Sequence, residues 1–411
     1  MSFIYNIGIH LTHFGLKCAS VFNQKIKKGV VGRETTFNTL KENLKPNNKT
    51  LWFHCASLGE YEQGLPVFKV LRDHYKNHKV VLSFFSPSGY EIRKNSPIAD
   101  VVVYLPLDSK KNAKRFLDYV NPELTVFVKY DIWPNFLKEL KHRKLQAILI
   151  SAAFRENQSF FKFYGKPLRE ALFAFDYIFT QNEASKKLLE SINYTNVTVS
   201  GDTRFDRVFS QLNIDNSLDF IQKFKQDKLC IVAGSSWPED EILFVNYINS
   251  EVSKDLKFII APHNIKASQI KHIQDKLSVE SVLFSEKDNK QLENAKVFIV
   301  DTIGILSKIY SYADIAYVGG AMGTTGLHNT LEPAVFGVPI IIGTNHSKFP
   351  EAQEMIDNGG MFAVSNQMAF NDILNALIFD SEKRLSSGKT NSDYIKNNTG
   401  AVTKITTYLK L

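Results

Sequence analysis

The sequence is poor in the residues that build a secreted scaffold or a metal centre. It has three cysteines in 411 residues, Cys18, Cys55 and Cys230, far apart and odd in number. No disulfide framework or zinc spacing exists, so a reducing compartment is expected. No His, Cys and Asp fall at metal-ligand spacing, and no Asp-x-Asp motif offers a metal–diphosphate site. Neither a metal nor a cofactor is expected. No apolar run reads as a spanning helix, because Asn6, His10, Thr12, His13 and Lys17 interrupt 3–22. No small-residue cleavage site marks a signal peptide. There is no low-complexity tract, and no repeat beyond an α/β alternation.

Hydrophobic content of 44% and charged content of 22% make the chain globular, and its length implies two or three domains. A net charge of +8 favours an anionic partner: a phosphorylated lipid, a nucleotide or a nucleic acid. Residues 3–22 carry an apolar face and are followed by Gln24, Lys25, Lys27, Lys28 and Arg33. That pattern fits a helix lying on an anionic membrane surface over 1–35. A helix packed on its own domain is the competing reading.

Apolar strands are expected at 50–55, 80–85, 101–105, 124–128, 146–151, 177–180 and 197–200, with helices between them. A polar linker at 210–219 follows. The pattern then repeats, with strands at 230–233, 258–261, 281–284, 297–300, 315–318 and 338–342. Such alternation argues two doubly wound, Rossmann-like α/β domains, each a parallel sheet covered on both faces. The expected boundaries are 36–209 and 220–392. A helix-like tail at 393–411 is expected to cross back to the first domain. Ligands of two such domains belong in the cleft they face, beside the strand C-terminal ends.

The richest stretch runs from Tyr317 to Pro339. A short strand enters Gly319, Gly320, Gly323 and Gly326, and glycines let backbone approach a ligand. Asn329 reads as an N-cap of a helix reaching Phe336, with Gly337 as its stop. A helix N-terminus after a glycine loop is an anion site. Asn329 and Glu332 share a helix face, where a carboxylate can accept the hydroxyls of a ribose. The plainer alternative is a capped helix whose Glu complements the dipole.

Four further stretches can carry chemistry. Glu60 lies at a helix start after strand 50–55, an ionised carboxylate on the ligand edge and a usable general base. Ser235 and Ser236, before a helix, can hold a phosphate, or simply cap it. Pro262-His263 follows the next strand, and His263 reads as a phosphate donor or a buried structural histidine. Asp301-Thr302-Ile303-Gly304 can offer backbone N–H groups. Arg204, near the expected domain junction, can offset charge on a leaving phosphate, or be a surface arginine.

Together these pieces resemble the 3-deoxy-D-manno-octulosonic acid (Kdo) transferase family over nearly the whole chain. Ser57-Leu-Gly-Glu60 looks like its small-x-Gly-Glu motif, and Asp131-Ile-Trp-Pro-Asn135 like its acidic-x-Trp-Pro-Asn element. Gly201-Asp-Thr-Arg-Phe-Asp206 and the donor motif Gly326-Leu-His-Asn-Thr-Leu-Glu-Pro-Ala334 match two more. The sequence departs from the family at Lys129, where a Glu is usual, and at His263-Asn264, where an Arg is missing. It departs again at Ile303-Gly304-Ile305, which lacks the Glu of Met-Gly-Glu, and at Lys348-Phe349 in place of Asn-Phe.

The resemblance implies a GT-B glycosyltransferase that moves Kdo from CMP-Kdo to a lipid A precursor at the cytoplasmic face of the inner membrane. It implies no nucleic-acid partner. Glu60 would be the catalytic base, with Arg204, Lys129 and Asp131 as further catalytic residues. Pro262, His263, Ile303, Gly304, Ile305, Asn329, Thr330, Leu331 and Glu332, with Ser235 and Ser236, would hold the donor. Another GT-B enzyme, such as a UDP-sugar epimerase or a lipid A disaccharide synthase, is one alternative. A non-enzymatic protein binding anionic membranes is the other.

Overall fold

Two seven-stranded, fully parallel sheets organise the computed structural model, which describes residues 2–250 and 255–411. Residue 1 of the expected N-terminal helix and residues 251–254 of the expected second domain lie outside the described residues. The chain divides into two units: everything through Arg207 together with Thr399–Leu411, and Val208–Asn398.

The first sheet holds β1 (Thr50–Cys55), β2 (Lys79–Phe84), β3 (Val101–Tyr104), β4 (Leu124–Val128), β5 (Gln146–Ala152), β6 (Tyr177–Thr180) and β7 (Val197–Val199). Their order is β3-β2-β1-β4-β5-β6-β7. The winding therefore reverses between β1 and β4. The second sheet holds β8 (Leu229–Ser236), β9 (Leu256–Pro262), β10 (Ser281–Leu283), β11 (Val297–Ile299), β12 (Ile315–Val318), β13 (Ile340–Gly343) and β14 (Met361–Val364). Its order is β10-β11-β9-β8-β12-β13-β14, reversing between β8 and β12. Strand β14 was not expected from the sequence. Its four residues follow Gly359-Gly360 and run straight into the helix Gln367–Phe379, so no period is long enough to read.

The strands form because their residues are apolar on both faces, as a parallel sheet between helices demands. β1, β4, β9, β12 and β13 are buried at every position. In the first unit Trp52 of β1 packs against Phe116, Phe127 and Phe136. Short polar caps start the helices: Ser86 before Pro87, Ser109, Asn182 and Asp380 each accept a backbone N–H.

The N-terminal segment departs from a single helix over 1–35. It is a hairpin of α1 (Ser2–Ser20) and α2 (Gln24–Asn43). The break falls at Asn23, whose Oδ1 accepts the N–H groups of Lys25 and Ile26 and so begins a new helix. The far end of the chain joins this unit as well. Asp206 accepts the N–H groups of Gly400 and Ala401 at 3.0 and 3.1 Å, capping the helix Ala401–Tyr408. Tyr408 then lies against Tyr177 of β6.

In the second unit the helix Ser381–Asn397 crosses the sheet edge closely. A Cβ at Gly388 would collide with the Gly337 carbonyl oxygen. Beside that contact, buried Asn391 donates to the carbonyls of Val338 and Gly360 at 2.8 and 2.7 Å. Asn391→Ala takes a donor from both carbonyls and leaves Gly360 only the Ile340 N–H, so a loss of about 1–3 kcal/mol is expected. A lower urea midpoint for the second unit's transition, with an unchanged slope, checks it.

Candidate functional site

Ligands of open parallel sheets bind outside the strand C-termini, where the winding reverses. Each unit places sequence-predicted residues there. In the first, α3 (Leu58–His74) begins directly after β1, with Ser57 at its cap and Glu60 in its first turn. Ser57 Oγ donates to the Glu60 carboxylate. Glu62, two residues on, is held differently: Arg93 and Arg207 reach it at 2.6 and 3.2 Å. The carboxylates of Glu60, Asp131 and Glu62 all lie near enough to Cys55 to act on its thiol. That thiol is pushed far up, first by complete burial and then by Glu60, so it is no thiolate nucleophile.

Asp131 follows β4. Its Oδ2 lies 2.5 Å from Nε2 of His54, a fully buried residue of β1. The Trp133 indole nitrogen also lies 3.0 Å from that nitrogen. On the other side of the ring, Nδ1 lies 2.8 Å from Ser83 Oγ, which accepts the Trp52 N–H. His54 is thus a positioning residue for Asp131. The sequence offered one signal for it, a basic side chain inside an otherwise apolar strand. Lys129 sits at φ 70° with its ammonium 5.3 Å from the Tyr130 ring centre. For a residue with a Cβ that backbone costs about 1–3 kcal/mol. Arg204 Nε donates to Asp202 at 2.8 Å, and Asp202 also accepts from Gln63, three residues after Glu60 on α3.

In the second unit the N-terminus of the helix Pro238–Ile248 is already occupied. The Trp237 N–H donates to Asp240, which also takes the N–H of Gly320 and the Tyr317 hydroxyl. Ser236 belongs to β8, is fully buried, and donates to Glu241. Its hydroxyl therefore faces the core, not a phosphate. Ser235 stands at φ 53°. Gly319 has no room for a Cβ, because the backbone of Ser235 and Ser236 presses on it.

Pro262 pairs with Ser236 across β8 and β9, which brings His263 to the same edge. The Trp237 and His263 rings stack at 4.7 Å, and His263 lies 4.4 Å from the His328 ring. The Trp237 indole N–H donates to His328 Nε2 at 3.2 Å. An accepting Nε2 must carry a lone pair, which fixes a neutral ring with its proton on Nδ1. Burial, then His263, pushes His328 down to about 4, and burial also lowers His263. Trp237 and His328 were missed as site residues, although both stand inside the stretches read from the sequence.

The helix after the glycine loop is shorter than the expected run to Phe336. It spans Leu331–Ala334, since the N–H groups of Phe336 and Gly337 reach back three residues and tighten the end. One turn carries little dipole, so side chains define this corner. Asn329 Oδ1 accepts the Leu331 N–H at 3.2 Å, and its Nδ2 donates to Glu332 Oε1 at 3.1 Å. Ser307 donates to Glu332 Oε2 at 2.9 Å. Asn329 and Glu332 thus meet, and Ser307 ties them to the loop of Ile303, Gly304 and Ile305. Thr330 and Leu331 are buried and can offer only backbone.

Residues 32–207 match the family described as 3-deoxy-D-manno-octulosonic-acid transferase. A transferase of that name from Haemophilus influenzae is 27% identical over 384 residues, covering 89% of this chain and 87% of the relative. One from Aquifex aeolicus is 29% identical over 338 residues, covering 80% and 85%. The chain is thus similar to Kdo transferases over four-fifths or more of its length. It is a glycosyltransferase of Kdo transfer. Its fold is the GT-B type. The UDP-GlcNAc 2-epimerase of Neisseria meningitidis, at 16% identity, aligns with TM-score 0.63 over 88% of this chain and all of that one. The MurG structure of Acinetobacter baumannii, at 12% identity, aligns with TM-score 0.55 over 89% of this chain and all of that one. At such identities these two report fold alone.

The paired imidazoles of His263 and His328 carry a pH dependence. Their folded pKa values lie below the ordinary histidine value, so the unfolded chain binds more protons. Their contribution is complete above the unfolded value near 6.5 and is lost as pH falls from there toward about 4, where His328 takes its proton. After allowance for solvent screening, about 1–2 kcal/mol of the second unit's stability should disappear over that window. His328→Gln should flatten the fall in its unfolding midpoint between those pH values.

Proposed function

We propose that this Kdo transferase takes Kdo from CMP-Kdo and passes it, with inversion, to lipid IVA at the cytoplasmic face of the inner membrane. The observation that carries the reading is the contrast between Glu60 and Glu62. Glu62 is neutralised by two arginines, whereas Glu60 touches only a serine hydroxyl among its recorded partners. A sugar hydroxyl is a poor nucleophile until a base draws off its proton. Glu60 is the carboxylate left to do so. The relatives named for transfer of 3-deoxy-D-manno-octulosonic acid support the sugar that is moved.

The further assignments follow from the chemistry of each group. The Asn329–Glu332 pair suits the ribose hydroxyls of CMP. The Trp237–His263–His328 stack, Pro262, Ser235 and the 303–305 loop suit the rest of the donor. Arg204 and Lys129 offset phosphate or carboxylate charge. Asp131, held by His54, orients the acceptor. In this reading 36–209 is the acceptor domain and 220–392 the CMP-Kdo domain, with 393–411 returning to the first. Residues 1–35 rest on anionic lipid. Among the described residues no helix is long and apolar enough to cross a membrane.

The test is transfer from CMP-Kdo to a tetraacyl lipid A precursor, with the product weighed by mass spectrometry. Glu60→Gln keeps the shape and removes the basicity, so transfer should fall roughly 10²–10⁴-fold while CMP binds as before. Full activity in this variant, with Glu62→Gln inactive, would transfer the role to Glu62. Glu332→Ala should weaken CMP binding by about 1.5–3 kcal/mol in calorimetry, because charge-assisted contacts are lost. Equal affinity in parent and variant would remove Glu332 from the donor site.

A further inference from the structure

The hairpin at the N-terminus is turned the wrong way round for a helix that only packs on its domain. Its polar residues face inward: Tyr5 donates to Asp108, and Asn6 accepts from Asn135. Several apolar residues of α1 and the turn after it face outward, with Leu11 67%, Phe14 69% and Phe22 92% exposed. Leu11 and Phe14 share one helix face.

Beside that face, a cavity of about 260 Å³ opens between α1, α2 and the segment after β3. Leu16, Val30, Phe37 and Leu107 make it apolar. Lys17 and Arg33 line it too, against one carboxylate, Glu34. Arg33 lies over the Phe85 ring and donates to the carbonyls of Leu105, Gly29 and Phe85. Among the described residues no carboxylate pairs with it. The cavity falls below the roughly 300–1,000 Å³ of drug-sized pockets. It suits part of a chain, not a whole lipid.

We infer that this cavity takes one acyl chain of an anionic phospholipid, whose phosphate meets Lys17 and Arg33. The inference rests on the membrane reading of residues 1–35 and goes beyond it, from a surface that touches lipid to a site that holds one. Three observations converge. The walls are apolar, the lining carries one net positive charge, and Leu16 and Lys17 continue the helix that bears the exposed apolar face. A free inorganic anion would have no use for the walls, and an apolar peptide none for the cations.

The full chain should bind dihexanoyl phosphatidylglycerol below its micelle concentration, one to one by calorimetry, and dihexanoyl phosphatidylcholine more weakly. Val30→Phe fills the cavity and should weaken that binding about tenfold or more. Lys17→Gln, an exposed change that leaves the fold alone, should weaken it about threefold to tenfold. Both variants should still sediment with phosphatidylglycerol vesicles. Vesicle binding without saturable binding of the monomeric lipid would overturn the cavity site and leave the membrane reading standing. Monomer binding unchanged in both variants would also overturn it. A parent chain that does not sediment with vesicles would overturn the membrane reading, and the inference with it.

Discussion

Parallel strands can be joined only by crossovers, and a right-handed crossover sends each new strand to one side of the last. Reversing the order makes two neighbouring strands send their next segments to opposite faces of the sheet. Between those segments the sheet edge is left uncovered. Here the reversals are β1/β4 and β8/β12. Glu60 follows β1, Asp131 follows β4, Trp237 follows β8, and the glycine loop follows β12. None of these residues needs an unusual local sequence to reach its place. The topology delivers them once the strands are buried.

Polar groups at such an edge must be satisfied before they can be selective. Asp240 shows how that is done. It is fully buried, burial pushes its carboxyl up, and hydrogen bonds from Tyr317, Trp237 and Gly320 draw it back. It therefore acts as a brace that closes the glycine loop onto the helix after β8. His328 solves the same problem by losing its charge, since a neutral ring can accept from Trp237 and stack near His263 without repulsion. Two non-glycine residues hold positive φ at these edges, Lys129 and Ser235. Strain of that kind persists where the surroundings over-determine the backbone.

The strands were legible because burial on both faces writes continuous apolar runs. β4, β6 and β12 were read to the residue, and most others within one or two at either end. The edge strand β14 was illegible because four residues show no period. The helix at 331–334 was read too long because Pro333 and Gly337 permit a helix without setting its length. The motif residues Glu60, Asn329 and Glu332 were readable from their places beside strand ends and glycines. What could not be read was pairing across distance. His54 and Asp131 are 77 residues apart, and Trp237 and His328 are 91 apart. Only the adjacency of β1 with β4 and of β8 with β12 brings them together.

Asp108 joins the N-terminal hairpin to the acidic loop of the same unit. It is fully buried and accepts the Tyr5 hydroxyl at 2.7 Å and the backbone N–H groups of Asn135 and Phe136 at 3.0 Å. Asn135 returns the contact by donating to the Asp108 carbonyl and to Asn6. Those two N–H groups belong to the first turn of the helix Pro134–His142, which begins three residues after Asp131. One carboxylate thus caps the helix behind Asp131 and anchors the start of α1. Such a carboxylate favours the ionised form only while its donors stay in place. Tilting α1 withdraws Tyr5 and leaves the buried charge with fewer partners. The orientation of the apolar outer face of α1 is therefore tied, through Asp108, to the setting of the loop that carries Asp131 and Trp133.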